Sequence, residues 1–166
     1  MKQKQKKYAF LTLHRPSNVD NRETFEQIAS ALNEIARERL IFFPVHPRTK
    51  KMVDQLNIKL SENVVMLPPL SFTESLFLWK DAEVVMTDSG GLQEETTALG
   101  IPCVTIRENT ERPITLQMGT NILGGTRKDS ILDGYRKSLE RRGKPYEVPP
   151  KWDGKATERI WRVLNS

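Results

Sequence analysis

The chain has 166 residues, 37% of them hydrophobic and 28% charged, enough apolar material for one globular domain (1–166) with its own core and too much for a disordered or fibrous chain. Its net charge of +5 favours an anionic partner, but Lys2, Lys4, Lys6 and Lys7 supply four of those charges in a stretch, 1–7, expected to be a frayed tail, and no basic aromatic face or reading helix points to nucleic acid. No apolar run approaches the roughly 18 to 20 residues that span a bilayer, and the single Cys103 lies in an apolar run where it has no partner for a disulfide, so a cytoplasmic protein without membrane contact is expected.

In chain order, Tyr8 to Leu13 is the first apolar, β-rich run, and further runs follow at Leu40 to Val45, Asn63 to Leu67, Val84 to Thr87, Pro102 to Ile106 and Asn121 to Leu123. They are runs rather than alternations, which predicts strands buried on both faces. Between the first two, Phe25, Ile28, Ala29, Leu32, Ile35 and Ala36 repeat at helical spacing, with Asp20 as a candidate N-cap and Glu23 three residues later. Ser71 and Glu74 form a capping-box pattern ahead of Leu76, Phe77 and Trp79. Leu92, Thr96 and Leu99 mark a helix stopped by Gly100 and Pro102, and Thr126 with Asp129 opens another through Leu139. After the proline-rich link 145–150, a last helix is expected within 151–166, at Ala156 to Leu164, packing back or reaching onto something outside the chain. Strand and helix alternate, which predicts an α/β fold: a Rossmann-like parallel sheet with helices on both faces.

In such sheets ligands bind beyond the carboxyl ends of the strands, where the winding reverses. Those ends carry His14-Arg15-Pro16-Ser17-Asn18, His46-Pro47-Arg48, Asp88-Ser89-Gly90-Gly91 and Arg107 to Pro113, so both histidines and several arginines share one edge. Singly, each histidine reads as a loop-ordering hydrogen-bonder, and Ser89-Gly90-Gly91 as an ordinary capped helix start. Together they suggest an anion site: two glycines let backbone approach closely, so unpaired N–H groups and the helix dipole face a phosphate. The motif is neither a dinucleotide fingerprint nor a Walker loop, so nicotinamide chemistry and ATP hydrolysis are not supported. Of the two acids one turn onward, Glu94 suits a solvated helix face and Glu95 suits hydrogen bonds from ribose hydroxyls. Arg112 is a candidate for the second phosphate charge, because its planar fork matches phosphate oxygens. The residues therefore suggest a nucleoside diphosphate site.

The stretches "LTLHRPSNVDN", "FFPVHPRTKK", "MTDSGGLQEE", "RENTERPITLQMGTN" and "DGKATERI" together resemble the C-terminal half of the non-hydrolysing UDP-N-acetylglucosamine 2-epimerases, two-domain proteins of the glycosyltransferase B type. The resemblance covers nearly the whole chain, in order. It implies that Ser89, Gly90, Gly91 and Arg112 hold the UDP phosphates, that Glu95 holds the ribose, and that Phe72 and Ser75 lie on the uracil side. It also implies a catalytic role for His14 near UDP, and that Arg15 and His46 belong to a second, regulatory sugar-nucleotide site. The implied reaction is inversion at sugar C2, by anti elimination of UDP to a glycal and re-addition, with no cofactor and no metal.

Two departures stand out: Pro16-Ser17 follows His14-Arg15 where many members have Arg-Glu, and position 75 is serine where members commonly carry an aromatic, which weakens the expectation of base stacking. Members are also about twice as long, and the acids that move the C2 proton belong to an N-terminal domain outside this sequence. The chain alone is accordingly expected to bind UDP and UDP-N-acetylglucosamine weakly and not to epimerise without that partner domain, with a homodimer as the expected form of the full-length enzyme. The alternatives are the donor-binding half of a glycosyltransferase and a stand-alone UDP-sugar-binding module.

Overall fold

A computed structural model describes residues 7–166, and the expected tail, apart from Lys7, lies outside them. Lys7 itself is not frayed: its ammonium stands 3.3 Å from Glu83. Six strands form one sheet: β1 (Tyr8–Thr12), β2 (Leu40–Pro44), β3 (Val64–Leu67), β4 (Val84–Thr87), β5 (Cys103–Thr105) and β6 (Asn121–Leu123). All pairings are parallel, in the order β3-β2-β1-β4-β5-β6. The winding runs outward in both directions from the β1–β4 pair, so the crevice where ligands bind such sheets opens after these two strands.

The described residues form eight helices, six between strands and two after β6: α1 (Pro16–Val19), α2 (Arg22–Ile35), α3 (Pro47–Gln55), α4 (Phe72–Trp79), α5 (Gly90–Leu99), α6 (Pro113–Gln117), α7 (Lys128–Arg141) and α8 (Ala156–Leu164). One sheet face buries Leu11, Ile41, Phe43, Val84, Met86 and Val104 against Phe25, Ile28 and Leu32 of α2, Val53 of α3 and Ile131 and Tyr135 of α7. On the other face Phe10 and Val85 pack against Trp79 of α4 and Leu92 of α5. Helices therefore cover both faces as expected. The outer strands are less enclosed than their apolar runs suggest: β2 alternates between buried and half-buried residues, and Met66 of β3 is 41% exposed. The cause is coverage, since α4 and α5 lie over the middle of the sheet.

Two helix starts differ from expectation. Asn21, not Asp20, caps α2, its side chain accepting the Thr24 N–H at 3.0 Å, while Asp20 pairs with Arg48. Thr126 does not cap α7, whose N-cap is Arg127; its hydroxyl and amide donate instead to Glu108. The Ser71–Glu74 capping box is present in both directions, and Gly100 ends α5 at φ 70°, the left-handed conformation glycine adopts without strain. No helix among the described residues is long and apolar enough to cross a membrane.

Candidate functional site

β1 and β4 end in register, Thr12 opposite Thr87, with a 2.6 Å hydrogen bond between their hydroxyls. Just beyond that pair the Asp88 N–H still donates to the Thr12 carbonyl at 3.3 Å, and the crevice opens past this link. Asp88 is fully buried there, and a buried carboxylate persists only where donors surround it. Its oxygens accept the backbone N–H of His14 (3.0 Å) and of Arg15 (2.9 Å), the Asn18 amide (3.2 Å) and Nδ1 of the His14 ring (3.0 Å). Asn18 is itself buried and also donates to the Ile106 carbonyl at 2.8 Å, tying the loops after β1, β4 and β5 together.

The histidine at this point is thereby fixed in ring orientation and tautomer: Nδ1 carries the proton given to Asp88, and Nε2 is left for a ligand. The Asp88 hydrogen bond raises the His14 pKa above its ordinary value, against partial burial that lowers it. His46 is 6.5 Å away, ring to ring, and its Nδ1 accepts the Arg48 N–H at 3.2 Å as the N-cap of α3. It therefore does the loop-ordering work expected of a lone histidine. Arg15 reaches toward Glu111, at 3.8 Å, and Arg107 holds the same acid at 2.7 and 2.8 Å. Those guanidinium contacts hold the Glu111 carboxyl down at about 2.

Ser89 precedes α5, but its side chain makes no capping bond; its N–H donates to the Thr87 hydroxyl at 2.9 Å. The first-turn N–H groups of a helix have no partner within it, so those of Gly90 and Gly91 point out of the α5 N-terminus at the crevice. Glu95 lies beside this turn, its pKa raised first by burial and second by the charge of Glu94. Glu94 is not merely solvated: its Oε1 stands 2.9 Å from Nε of Arg112. The pair is ionic without an aligned hydrogen bond, since Arg112 Nε is buried and finds no acceptor in line. That contact holds the Arg112 guanidinium over Gly90, whose absent Cβ would be 4.0 Å from Nε.

Two clefts meet at His14. One, of about 280 Å³, is lined by Thr12, His14, Phe72, Ser75, Ser89, Gly91 and Glu95; the other, of about 200 Å³, by His14, His46, Pro44, Leu70 and Ser75. Phe72 is 66% exposed at the mouth, placed so that a planar group can lie against it. A roomier cleft of about 570 Å³ lies elsewhere, between Met118 and the 144–147 link, and gathers no histidine and only one acid. We place the site at the β1–β4 crevice, because convergent polar groups mark a ligand site better than volume does. Six of the sequence-derived residues, His14, Phe72, Ser75, Ser89, Gly91 and Glu95, line one cleft there, with Gly90 and Arg112 at its edge. His46 lines the second cleft, whereas Arg15 stands apart from it and reaches toward the loop after β5.

Asp88 is the residue to which sequence reasoning gave no role of its own. The available signal for Asp88 was a carboxylate continuing a four-residue buried strand, an arrangement that requires partners.

The family model for UDP-N-acetylglucosamine 2-epimerase matches residues 1–165. The UDP-N-acetylglucosamine 2-epimerase of Methanocaldococcus jannaschii is 40% identical over 163 residues, covering 95% of this chain and 44% of that protein. The crystal structure of that organism's UDP-GlcNAc 2-epimerase in complex with UDP-GlcNAc and UDP superposes with a TM-score of 0.88 at 39% identity, covering 96% of this chain and 45% of that one. The calicheamicin glycosyltransferase CalG4 shares the fold, with a TM-score of 0.56 at 16% identity over 99% of this chain and 38% of that one. The chain thus spans under half the length of the epimerases it matches. With residues 1–165 matched by the family model, the chain belongs to the UDP-N-acetylglucosamine 2-epimerase family.

Proposed function

We propose that this chain is the UDP-binding, C-terminal half of a UDP-N-acetylglucosamine 2-epimerase. The observation that carries the reading is convergence: an oriented histidine, an uncapped glycine-rich helix N-terminus and a half-buried acid line one cleft, with an arginine at its edge. The diphosphate lies on the Ser89-Gly90-Gly91 turn and against Arg112, the ribose hydroxyls donate to Glu95, and uracil lies toward Phe72 and Ser75. Because Ser75 has no ring, Phe72 is the aromatic surface on that side.

In the reaction so assigned, the bond between sugar C1 and the UDP oxygen breaks as the C2 proton leaves, and UDP returns after C2 has changed face. This chain's residues act on the leaving group. Donors preorganised where negative charge develops lower the barrier without reorganising during the reaction. His14, protonated more readily than a free histidine, offers Nε2–H to a diphosphate oxygen while its Nδ1–H donates to Asp88. The proton transfers at C2 fall to a second domain, so the chain alone binds and does not turn over. Arg15 and His46 belong to a second nucleotide-sugar site, His46 from the adjoining cleft and Arg15 from the side of the β5 loop, and the complete enzyme works as a homodimer.

The test is a titration of the ¹⁵N-labelled chain with millimolar UDP. Amide shifts at residues 89–95 and at Arg112 are expected; their absence would sink every nucleotide reading. Conversion of UDP-N-acetylglucosamine by the chain alone would refute the assignment of proton transfer to another domain. The fold also accommodates glycosyltransferases, and sugar transfer to an acceptor by the full-length enzyme would favour that reading instead.

A further inference from the structure

Behind the phosphate-binding edge lies a buried polar cluster that the assigned roles leave unexplained. Gln93 is fully buried on α5, and both ends of its amide are engaged: Nε2 donates to the Ser89 carbonyl at 3.0 Å, while Oε1 accepts the Thr110 hydroxyl at 2.6 Å and the Asn121 amide at 3.2 Å. The orientation of the amide follows, because its nitrogen faces a carbonyl and its oxygen faces two donors. Thr110 passes the link onward, its oxygen accepting the Arg112 N–H at 2.9 Å. Asn121, at the start of β6, donates to Thr115 at 3.0 Å, and the Thr115 hydroxyl donates to the Arg112 carbonyl at 2.7 Å. The Thr115 N–H reaches the same carbonyl at 3.0 Å. Asn121 is held in turn by the Thr105 hydroxyl at 2.8 Å.

Both main-chain groups of Arg112 are therefore fixed by side chains that lead back to one glutamine, and that glutamine also holds the carbonyl of Ser89. The two halves of the anion site lie on different loops, after β4 and after β5, more than twenty residues apart in sequence. The Glu94 contact acts on the Arg112 guanidinium alone, and the backbone that carries it needs a tie of its own to the α5 turn. We propose that Gln93 and Thr110 are positioning residues: they form a hydrogen-bonded bridge that sets Arg112 against the Ser89-Gly90-Gly91 turn, so that both address the same diphosphate. A satisfied buried network of this kind favours a single arrangement, because breaking one link strands the partners of the others.

This inference rests on the UDP-binding reading and is tested on the 166-residue chain. Thr110 is only half-buried and suits conservative change: Thr110→Val keeps the shape and loses the hydroxyl, and Thr110→Ser keeps the hydroxyl. Thr110→Val and Gln93→Leu are expected to raise the UDP Kd about tenfold, a loss typical of removing the group that orients a ligand-holding residue. Thr110→Ser should bind like wild type. In an Arg112→Met background Thr110→Val should add less than about a twofold further loss, because residues acting through one another are not additive. Melting temperatures accompany each measurement, and should Gln93→Leu fail to fold, the Thr110 pair decides alone.

Wild-type affinity in Thr110→Val, equal losses in the valine and serine variants, or losses that multiply with Arg112→Met would overturn the bridge. Absence of UDP binding by wild type would instead strike the functional reading. The bridge is then judged by hydrogen exchange at the Arg112 amide: faster in Thr110→Val but not in Thr110→Ser supports it, and equal rates in all three overturn it.

Discussion

At Gly91 the missing side chain supplies space rather than an unusual backbone angle. Its φ is not positive, and a Cβ built there would lie 3.9 Å from Oε1 of Glu95 and 4.0 Å from Oγ of Ser89, ordinary contact distances. An alanine therefore fits the empty site. Alanine also restricts the unfolded chain, which stabilises a compatible position by about 0.4 to 1 kcal/mol. A diphosphate oxygen approaching the α5 amides would meet the new methyl group, at a loss of about tenfold in affinity if one hydrogen bond to a charged group is given up. Gly91→Ala should thus melt at or above the wild-type temperature and bind UDP more weakly, two signs that a mutation damaging the fold would not combine. Calorimetry with a UDP titration reads both; unchanged affinity would mean that phosphate does not sit on these amides. That the glycines, His14, Glu95 and Arg112 gather at the crevice was legible, because each stands in a short motif directly after a strand. Asp88 and Gln93 were not, because what they do depends on partners from other loops: His14 lies 74 residues from Asp88, and Asn121 lies 28 from Gln93.

Elements were legible in proportion to their periodicity. All six strands and the helices with an apolar stripe, α2, α4, α5, α7 and α8, follow from runs and repeats. The helices α1, α3 and α6 did not emerge, since two of them span four and five residues and show no repeat. Each opens on a proline, at Pro16, Pro47 and Pro113, in the first-turn position where the absent N–H costs nothing. The three prolines follow Arg15, His46 and Arg112, so each short helix turns the chain directly after a candidate site residue. The last helix poses a different question. Ile160, Trp161, Val163 and Leu164 of α8 are all more than half exposed, and none of its residues is buried. Its apolar side does not serve the core described above. Removing residues 155–166 should accordingly leave the melting temperature within about 2 °C, the range of a surface change below about 0.5 kcal/mol. A drop of several degrees would show that α8 packs on this domain in solution.

Across the whole molecule the two rims of the sheet divide the work. The carboxyl rim gathers groups whose donors face outward, whereas at the opposite rim Glu83, just before β4, is 4% exposed and enclosed by cations. Arg39, from the turn between α2 and β2, pairs with it closely, Arg142 at the end of α7 lies at 2.6 Å, and Lys7 ahead of β1 at 3.3 Å. Arg39 also donates to the Tyr135 hydroxyl and lies over its ring, 5.9 Å from the centroid. One carboxylate thus fastens the start of the central strand pair to helices on the larger core face. Arg39 is the partner that matters most, because its side chain is only 17% exposed and would remain as a desolvated charge if the acid were neutralised, whereas Lys7 is 71% exposed and contributes little. Breaking a buried pair from one side costs about 3 kcal/mol. Glu83→Gln should lower the midpoint of urea unfolding by a corresponding amount with its slope unchanged, while the UDP Kd measured well below the transition stays within about twofold of wild type. Both rims belong to β4, five residues apart, so a parallel loss of affinity would show that the crevice draws its geometry from the far end of the strand rather than from the Asp88 and Gln93 networks beside it.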